Sequence, residues 1–433
     1  MKRWLFDPRI RLNSYLLPVL VVLLFGLQLI TPYRGWRVLI IGLGGLWLVS
    51  YLWARSLARG VKLLRERRFG WAQVGDRMIE RFTLENNGWA PALWAEVVDH
   101  SSLPHYNIGR GTGVSGQSAI RWHTEAICSR RGLFTLGPTA LLTGDPFGVF
   151  LVRIDYPATT PLLVLPPIVP LPWIDIAPGG RAGEGRPRAN APERTVSAAT
   201  VREYVLGDSI RWIHWPTSAR RDELFVRIFD GTPAGDWWII LDLNKKVQLG
   251  EGIDSTEEYG IVLAASLADR GLRSSHAVGL VTHGESLVWM EPENGDGHRW
   301  EILRTLALVN PGARPLGDLL AGTGAAIGKQ ASLIIITPTV DSTWVETLWP
   351  LIRRGMTPTV LLLDPASFGG AGNLAGMRHL LEQWGITYYV IGRELLDRPE
   401  LHPEREDGMW KVLGTGKAVM THPVQNTEWR ALR

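Results

Sequence analysis

The sequence predicts a multidomain protein: an N-terminal transmembrane helical hairpin, then an all-β sandwich-like domain, then an α/β domain built on a mostly parallel sheet. Three observations carry this expectation. Two apolar runs without charged residues open the chain, short alternating segments with turn signals follow, and from Asp236 onward apolar strands alternate with amphipathic helices. The 433 residues are 45% hydrophobic and 20% charged, which suits two or three cored domains and excludes a disordered or collagen-like chain.

The apolar runs are Leu12 to Ile30 and Val38 to Ala54. With their flanks each spans ~28 Å as a helix, close to bilayer thickness. Thr31–Arg37 is too short to be anything but a turn, so residues 12–54 are read as a hairpin behind a basic tail at 1–11. A signal peptide fits poorly, because a second apolar span follows at once in place of a small-residue cleavage site. Lys2, Arg3, Arg9 and Arg11 precede the first span, and Arg55, Arg59, Lys62, Arg65, Arg67 and Arg68 follow the second, against Arg34 and Arg37 in the turn. The positive-inside rule then places both ends, and the soluble domains, on the cytoplasmic side of the cell (inner) membrane. Residues 55–69 are expected to be a basic juxtamembrane segment.

The formal charge of +4 is unevenly spread. Residues 1–68 hold 12 bases and two acids, leaving 34 bases against 40 acids in the remainder. An acidic body argues against nucleic acid as a partner. The single Cys128 excludes an intramolecular disulfide and a cysteine-based zinc cluster.

Residues 70–172 contain runs such as Met78–Glu85, Leu93–Val98 and Leu133–Leu136, broken at Asn86-Asn87-Gly88, Gly109–Gly116 and Gly137-Pro138. This spacing predicts an antiparallel sandwich, with Gly109–Gly116 as a flexible hairpin loop. Residues 173–200 are Pro/Gly-rich and read as a linker. Within 231–395, strands are predicted at Trp237–Leu243, His276–Thr282, Ser332–Thr337, Pro358–Leu363 and Thr387–Ile391. Helices are predicted at Ser255–Asp269, Trp300–Val309, Trp344–Arg353 and Met377–Trp384, and residues 396–433 form a tail. Sites in such sheets lie beyond the C-terminal strand ends, here after Leu241, Thr337 and Leu363.

Residues 201–230 (VREYVLGDSIRWIHWPTSARRDELFVRIFD) concentrate arginines, tryptophans and a histidine. Asp208 or Ser209 suits a helix cap, Arg211 would face His214 and Trp215, and Leu224–Phe229 reads as a strand able to join the edge of the sheet. An interdomain clasp and a protein-recognition surface both fit this composition. The rival is a catalytic centre, a cell-envelope hydrolase using His214 with Glu203 or Asp208.

The run R-E-Y-x3-G-D-x2-R-x-I-H-W-x3-A-R is formed by Arg202, Glu203, Tyr204, Gly207, Asp208, Arg211, Ile213, His214, Trp215, Ala219 and Arg220. It resembles the hallmark of a bacterial domain-of-unknown-function family, number fifty-eight (DUF58). Arg131-Gly132, Leu136-Gly137-Pro138 and Asp145-Pro146-Phe147-Gly148 are similar to that family's pattern in the preceding β region. The resemblance implies a C-terminal von Willebrand factor A-like (Rossmann-like) domain and association with a MoxR-type AAA+ ATPase. It implies a scaffold or adaptor for an unknown protein client, not an enzyme, and no cofactor.

Von Willebrand A domains hold Mg²⁺ through Asp-x-Ser-x-Ser after the first strand. Here the corresponding positions are Asp242, Asn244 and Lys246, a degenerate set in which Lys245 or Lys246 is expected to neutralise Asp242, so that no metal is expected. Gly322–Gln330 has the look of a phosphate loop but puts Thr323 at the first glycine position and Gln330 at the Ser/Thr position, so any ATP hydrolysis would belong to a partner. Protease added to intact spheroplasts should leave everything beyond residue 55 uncut; digestion with the membrane sealed would reverse the orientation.

Overall fold

The computed structural model describes residues 7–67, 70–179, 198–204, 213–221, 223–229, 235–324, 327 and 331–396, with short stretches at 410–412, 418–420 and 430–431. It divides into two compact units, built on Met1–Pro167 and on Ile168–Leu303 with Val309–Asp397.

The first unit opens with strand β1 (Asp7–Leu12) and helices α1 (Leu16–Ile30) and α2 (Arg34–Gly60). Leu12 ends a strand instead of starting a helix, because β1 pairs antiparallel with β10 (Phe150–Tyr156) from Asp7↔Asp155 to Leu12↔Phe150. The expected free tail is therefore partly sheet. At 15 residues α1 is shorter than the predicted span, while α2, with 27, is long and apolar enough to cross a membrane. Its outward side chains include Val38, Ile41, Leu48 and Leu52, all exposed, as apolar groups facing lipid would be.

Residues 55–60 are the last turns of α2 and not a separate segment. Ala54, Leu57 and Ala58 are buried in one cluster with Phe82, Leu84, Leu141, Val152 and Ile154. Val61 still donates its N–H to Leu57 O, yet it already has extended dihedrals (φ −85°, ψ 132°) and begins β2 (Val61–Arg67) with no intervening loop. Two sheets face each other across that cluster. One has the order β2, β4 (Arg77–Asn86), β7 (Ser118–Ile127). The other has the order β1, β10, β9 (Thr139–Gly144), β5 (Ala92–Asp99), β6 (Arg110–Val114). A smaller sheet joins β3 (Trp71–Gln73), β11 (Thr160–Leu165) and β8 (Gly132–Leu136). The glycine-rich stretch expected as a flexible loop is β6, an edge strand. In the C-terminal stretch, Trp410–Val412 pairs with Ala418–Met420, and Arg430–Ala431 adds to β2.

Inside this sandwich lies a charge cluster. Arg65 is 6% exposed; it donates to Glu80 (Nη2 to Oε2, 2.7 Å), to Asp99 (2.8 Å) and to the Thr139 hydroxyl (3.1 Å). Tyr106 donates its phenol proton to Glu80. Burial alone would lower the Arg65 pKa, but the hydrogen bond and charge of Glu80, with Asp99, hold it above the ordinary value.

In the second unit, residues 169–179 form an ordered strap: 169–172 were expected in the sandwich and 173–179 in a linker. Val169 N–H donates to Ser266 Oγ, Ala177 N–H to Thr359 Oγ1 and Gly179 N–H to Ser332 Oγ, and Asp175 N–H donates to the Tyr389 hydroxyl. A Cβ on Gly179 would come within 2.4 Å of the Ala331 carbonyl carbon, so the close approach requires glycine. The strap crosses near the starts of three parallel strands, β17 (Ser332–Thr337), β18 (Thr357–Leu363) and β19 (Thr387–Ile391).

The full sheet has the order β16 (Leu287–Glu293), β15 (Val278–His283), β14 (Trp237–Leu241), β17, β18, β19, with only the edge strand β16 antiparallel. Helices α4 (Thr256–Arg273), α5 (Asp296–Leu308), α6 (Leu316–Thr323), α7 (Thr343–Glu346), α8 (Trp349–Arg353) and α9 (Ala375–Gln383) connect the strands. The single helix predicted at 344–353 is broken into α7 and α8 next to Pro350. Leu224–Phe229 does not join this sheet: β13 (Phe225–Phe229) pairs antiparallel with β12 (Ala198–Glu203) as a separate two-stranded ribbon, with α3 (Trp215–Arg221) between them in sequence.

Arg65→Ala should destabilise the sandwich by about 3–5 kcal/mol, because it leaves Glu80 and Asp99 buried without a counter-charge. Thermal unfolding of the detergent-solubilised protein measures this; a change under about 1 kcal/mol would mean that the cluster is solvated.

Candidate functional site

Two places concentrate the residues singled out from the sequence. The first is where the strand order reverses, between β14 and β17, since neighbouring loops diverge there and leave a crevice beyond the strand ends. Asp242, directly after β14, is 4% exposed. Its Oδ2 accepts the Thr337 hydroxyl proton (2.7 Å) and its Oδ1 accepts the Asn244 N–H (3.0 Å). The Asn244 side-chain oxygen in turn accepts the Lys246 N–H (3.2 Å), and Thr337 Oγ1 accepts the Thr339 N–H (3.1 Å). Burial pushes the Asp242 carboxyl above its usual range, and the bonds from Thr337 and Asn244 only partly oppose this.

The lysine pairing expected from the sequence is therefore replaced. Lys246 contributes its backbone N–H, and the partner of Asp242 is a hydroxyl from the next strand, Thr337. Asp341, the other carboxylate of this region, is engaged just before α7, accepting from Thr343 N–H (3.1 Å) and Thr343 Oγ1 (2.8 Å). Mg²⁺ needs several charged or strongly polar oxygens at once. One buried carboxyl held in neutral hydrogen bonds does not fit that requirement, and among the described residues no group of three His, Cys, Asp or Glu is placed to hold a metal.

The crevice is also covered on one side. Residues 310–312 lie across the strand ends: Lys245 N–H donates to Gly312 O (2.8 Å), Gly312 N–H to Leu243 O (2.9 Å) and Glu285 N–H to Asn310 O (3.2 Å). A Cβ on Gly284 would sit 1.9 Å from Asn310 O, and one on Gly312 would sit 1.9 Å from Gly284 O, so both glycines are required by the crossing.

The second place is the ribbon β12/β13 with α3. Ile213 bridges to Val226, His214 N–H donates to Phe225 O (2.7 Å), and Tyr204 N–H donates to Leu224 O (2.7 Å). Ser218 is buried and accepts the Phe225 N–H (2.9 Å). His214 Nδ1 lies 2.7 Å from the Thr217 hydroxyl, a local contact at the start of α3 and not a carboxylate pair. Trp215 is 63% exposed, Leu224 46%, and Glu203, Arg220 and Arg221 are exposed as well, with the Arg221 guanidinium 5.6 Å from the Phe225 ring centre. Ala219 sits mid-helix on α3. Arg202 lies in β12, and Gly207, Asp208 and Arg211 fall outside the described residues.

Residues 200–368 match the family model described as protein of unknown function DUF58. That segment is similar to the family. The matched segment begins in β12 and ends just after β18, so it holds both the ribbon and the reversal point. Relatives include the uncharacterized protein YeaD of Bacillus subtilis, 28% identical over 142 residues (32% of this chain and 34% of that protein). An uncharacterized protein of Mycobacterium tuberculosis is 22% identical over 170 residues, 38% of this chain. The match spans 54% of the mycobacterial protein and about a third of the Bacillus one. Among solved structures, an aerotolerance-related membrane protein from Bacteroides fragilis is similar at 14% identity and TM-score 0.27, covering 39% of this chain and 94% of that one. The SpRpn10 VWA domain is similar at 12% identity and TM-score 0.28, covering 39% and 93%.

Asp242→Asn should remove a pH dependence. Folded Asp242 holds its proton to higher pH than the unfolded chain does, so its contribution is complete below about pH 4 and is lost as pH rises through the raised value. In the variant the amide oxygen can still accept the Asn244 N–H while the amide N–H donates to Thr337 Oγ1, reversing the bond that Oδ2 accepts from that hydroxyl, so the variant should match or exceed wild-type stability at pH 7. Mg²⁺ or Mn²⁺ up to millimolar should leave the melting temperature unchanged; a metal-dependent rise that Asp242→Asn abolishes would overturn this assignment.

Proposed function

We propose that the protein is a membrane-anchored, cytoplasmic, non-enzymatic scaffold whose DUF58 segment binds other proteins, working with a MoxR-type AAA+ ATPase on a client complex. One observation carries the reading. Trp215, Arg220 and Arg221 are exposed on α3 and Leu224 is exposed just before β13, and tryptophan and arginine are the residue types that dominate protein-binding hot spots. The same segment favours recognition over chemistry: His214 is engaged by Thr217, whereas a general base needs an orienting carboxylate or a nucleophile within reach. The helical hairpin supplies the anchor, with both helices crossing the membrane and both soluble units in the cytoplasm. Recognition at the reversal point then proceeds without a bound cation.

The test uses the full-length protein in nanodiscs with a photo-crosslinker at position 215 and a purified MoxR-type ATPase from the same cell. The expected result is an ATP-dependent crosslink, with Trp215→Ala weakening capture about tenfold or more while leaving the melting temperature unaltered. If Arg211→Ala or Trp215→Ala instead lowers the melting temperature and leaves capture intact, the segment is an internal clasp. A turnover activity that His214→Ala removes, with folding unchanged, would replace this proposal with the hydrolase reading.

A further inference from the structure

Resting on the reading that α2 crosses the membrane, we propose that the helix-proximal end of the sandwich sits in the lipid headgroup layer. Trp89 and Phe147 are its interfacial anchors, and Arg11, Arg55 and Arg59 face lipid phosphates. The starting observation is that two loop tips of the sandwich are fastened to the hairpin at the same level. On α2 the apolar run ends at Ala54, before Arg55; on α1 it begins at Leu16. The β4–β5 loop is tied to α2 at that height. Trp53 Nε1 donates to Pro91 O (3.1 Å), Ala90 N–H donates to Ser56 Oγ (3.3 Å), and the Trp89 ring meets the Trp53 ring edge-on with centroids 5.5 Å apart. The β9–β10 turn is tied to the residues just before α1, since Asn13 N–H donates to Val149 O (2.8 Å) and Asn13 Nδ2 to Gly148 O (3.1 Å).

Each tip is shaped to present an aromatic ring. Trp89 is 61% exposed although it lies on a tight turn, and Phe147 is 55% exposed at the apex of Asp145-Pro146-Phe147-Gly148. Asp145 builds that apex from within: it is 2% exposed, and its carboxylate accepts the N–H groups of Phe147 and Phe150. Gly148, at φ +68°, completes the reversal. A buried carboxylate organising a turn around an exposed phenylalanine has no use in the sandwich core, which Phe147 does not enter. Tyr15, 70% exposed, is the residue directly before α1. Aromatic rings at the level where an apolar helix meets its first cations form the belt that settles at a bilayer interface. The exposed Arg11, Arg55 and Arg59 lie around the same level, where anionic headgroups attract them. Continuity with the apolar surface of α2 selects lipid, and not a second protein, as the occupant.

The experiment exploits the single native cysteine. Cys128 is fully buried and its thiol is pushed up to about 12, so an introduced cysteine labels selectively. Trp89→Cys, Phe147→Cys, Trp71→Cys and Leu48→Cys each carry an environment-sensitive fluorophore in the full-length protein, reconstituted into phosphatidylcholine/phosphatidylglycerol vesicles containing shallow or deep doxyl lipids. Trp71 follows the far end of β2, roughly 20 Å along the strand from α2, and serves as the solvent reference. Labels at 89 and 147 should lose at least about half their emission to the shallow quencher, the label at 48 should respond most to the deep one, and the label at 71 should respond to neither. If 89 and 147 behave like 71 while 48 is quenched, the anchoring proposal is wrong and the membrane reading stands. If 48 is also unquenched, both fall together.

Discussion

The first unit depends on one constraint: α2 passes into β2 without a loop. Val61 closes the last helical hydrogen bond and opens the strand, and Ala54, Leu57 and Ala58 are at once helix and sandwich core. Gly60 makes the junction possible, since a Cβ there would lie 2.4 Å from Gly88 N. No flexible hinge separates the two elements, so any tilt or rotation of the helix is delivered to the sheet. The pairing of β1 with β10 applies the same condition to the other end of the hairpin, so that both helices leave from one rigid body.

The Arg65 cluster fixes the register of that junction. Side chains alternate along β2: Leu63 and Arg65 point inward, and Leu64, 41% exposed, points out. A one-residue slip would turn every side chain over, placing Leu64 where Glu80 and Asp99 wait and Arg65 in water. An ordinary apolar core tolerates some slippage, but two buried carboxylates do not. Thus a residue that counts, in the sequence, toward the basic flank of a membrane span acts in the fold as an internal lock. The exposed cations of that flank include Arg55 and Arg59, which lie on the side of α2 away from the core.

How much was legible follows from where the signals are local. The buried parallel strands were read closely, Ser332–Thr337 and Thr387–Ile391 to the residue, because apolar runs between helices have few other interpretations. Strand β16 was missed because its apolar run, Leu287–Met290, is only four residues long and gives way at once to Glu291, Pro292 and Glu293 on a half-exposed edge. Strand β1 was missed because D-P-R-I-R-L reads as a charged tail until a partner strand is known. The absence of charge from Leu12 to Ile30 could not separate a strand end and a turn from a helix. At the candidate site Asp242 was recognisable from its place after a buried strand, but its true partner was not. Thr337 is 95 residues away and becomes a neighbour only through the parallel pairing of β14 and β17.

That pairing also bears on how a domain of this kind recognises anything. A cation at the reversal point would present an open coordination position to an acidic side chain from a partner. Here Thr337 and Asn244 both donate to the carboxyl, and backbone bonds from residues 310–312 lie across the neighbouring strand ends, so the strand-end region presents main chain beside the exposed Lys245 and Lys246. Recognition confined to such a surface would be weak and salt-sensitive. Helix α3 offers what the strand ends do not, namely a large exposed indole and two exposed guanidiniums, tethered to β13 through the His214 N–H to Phe225 O bond. Rigid aromatic and arginine groups of this kind lose little freedom on binding. The sequence matched by the family model runs from the β12/β13 ribbon to just beyond β18, so one segment carries both the ribbon and the reversal point.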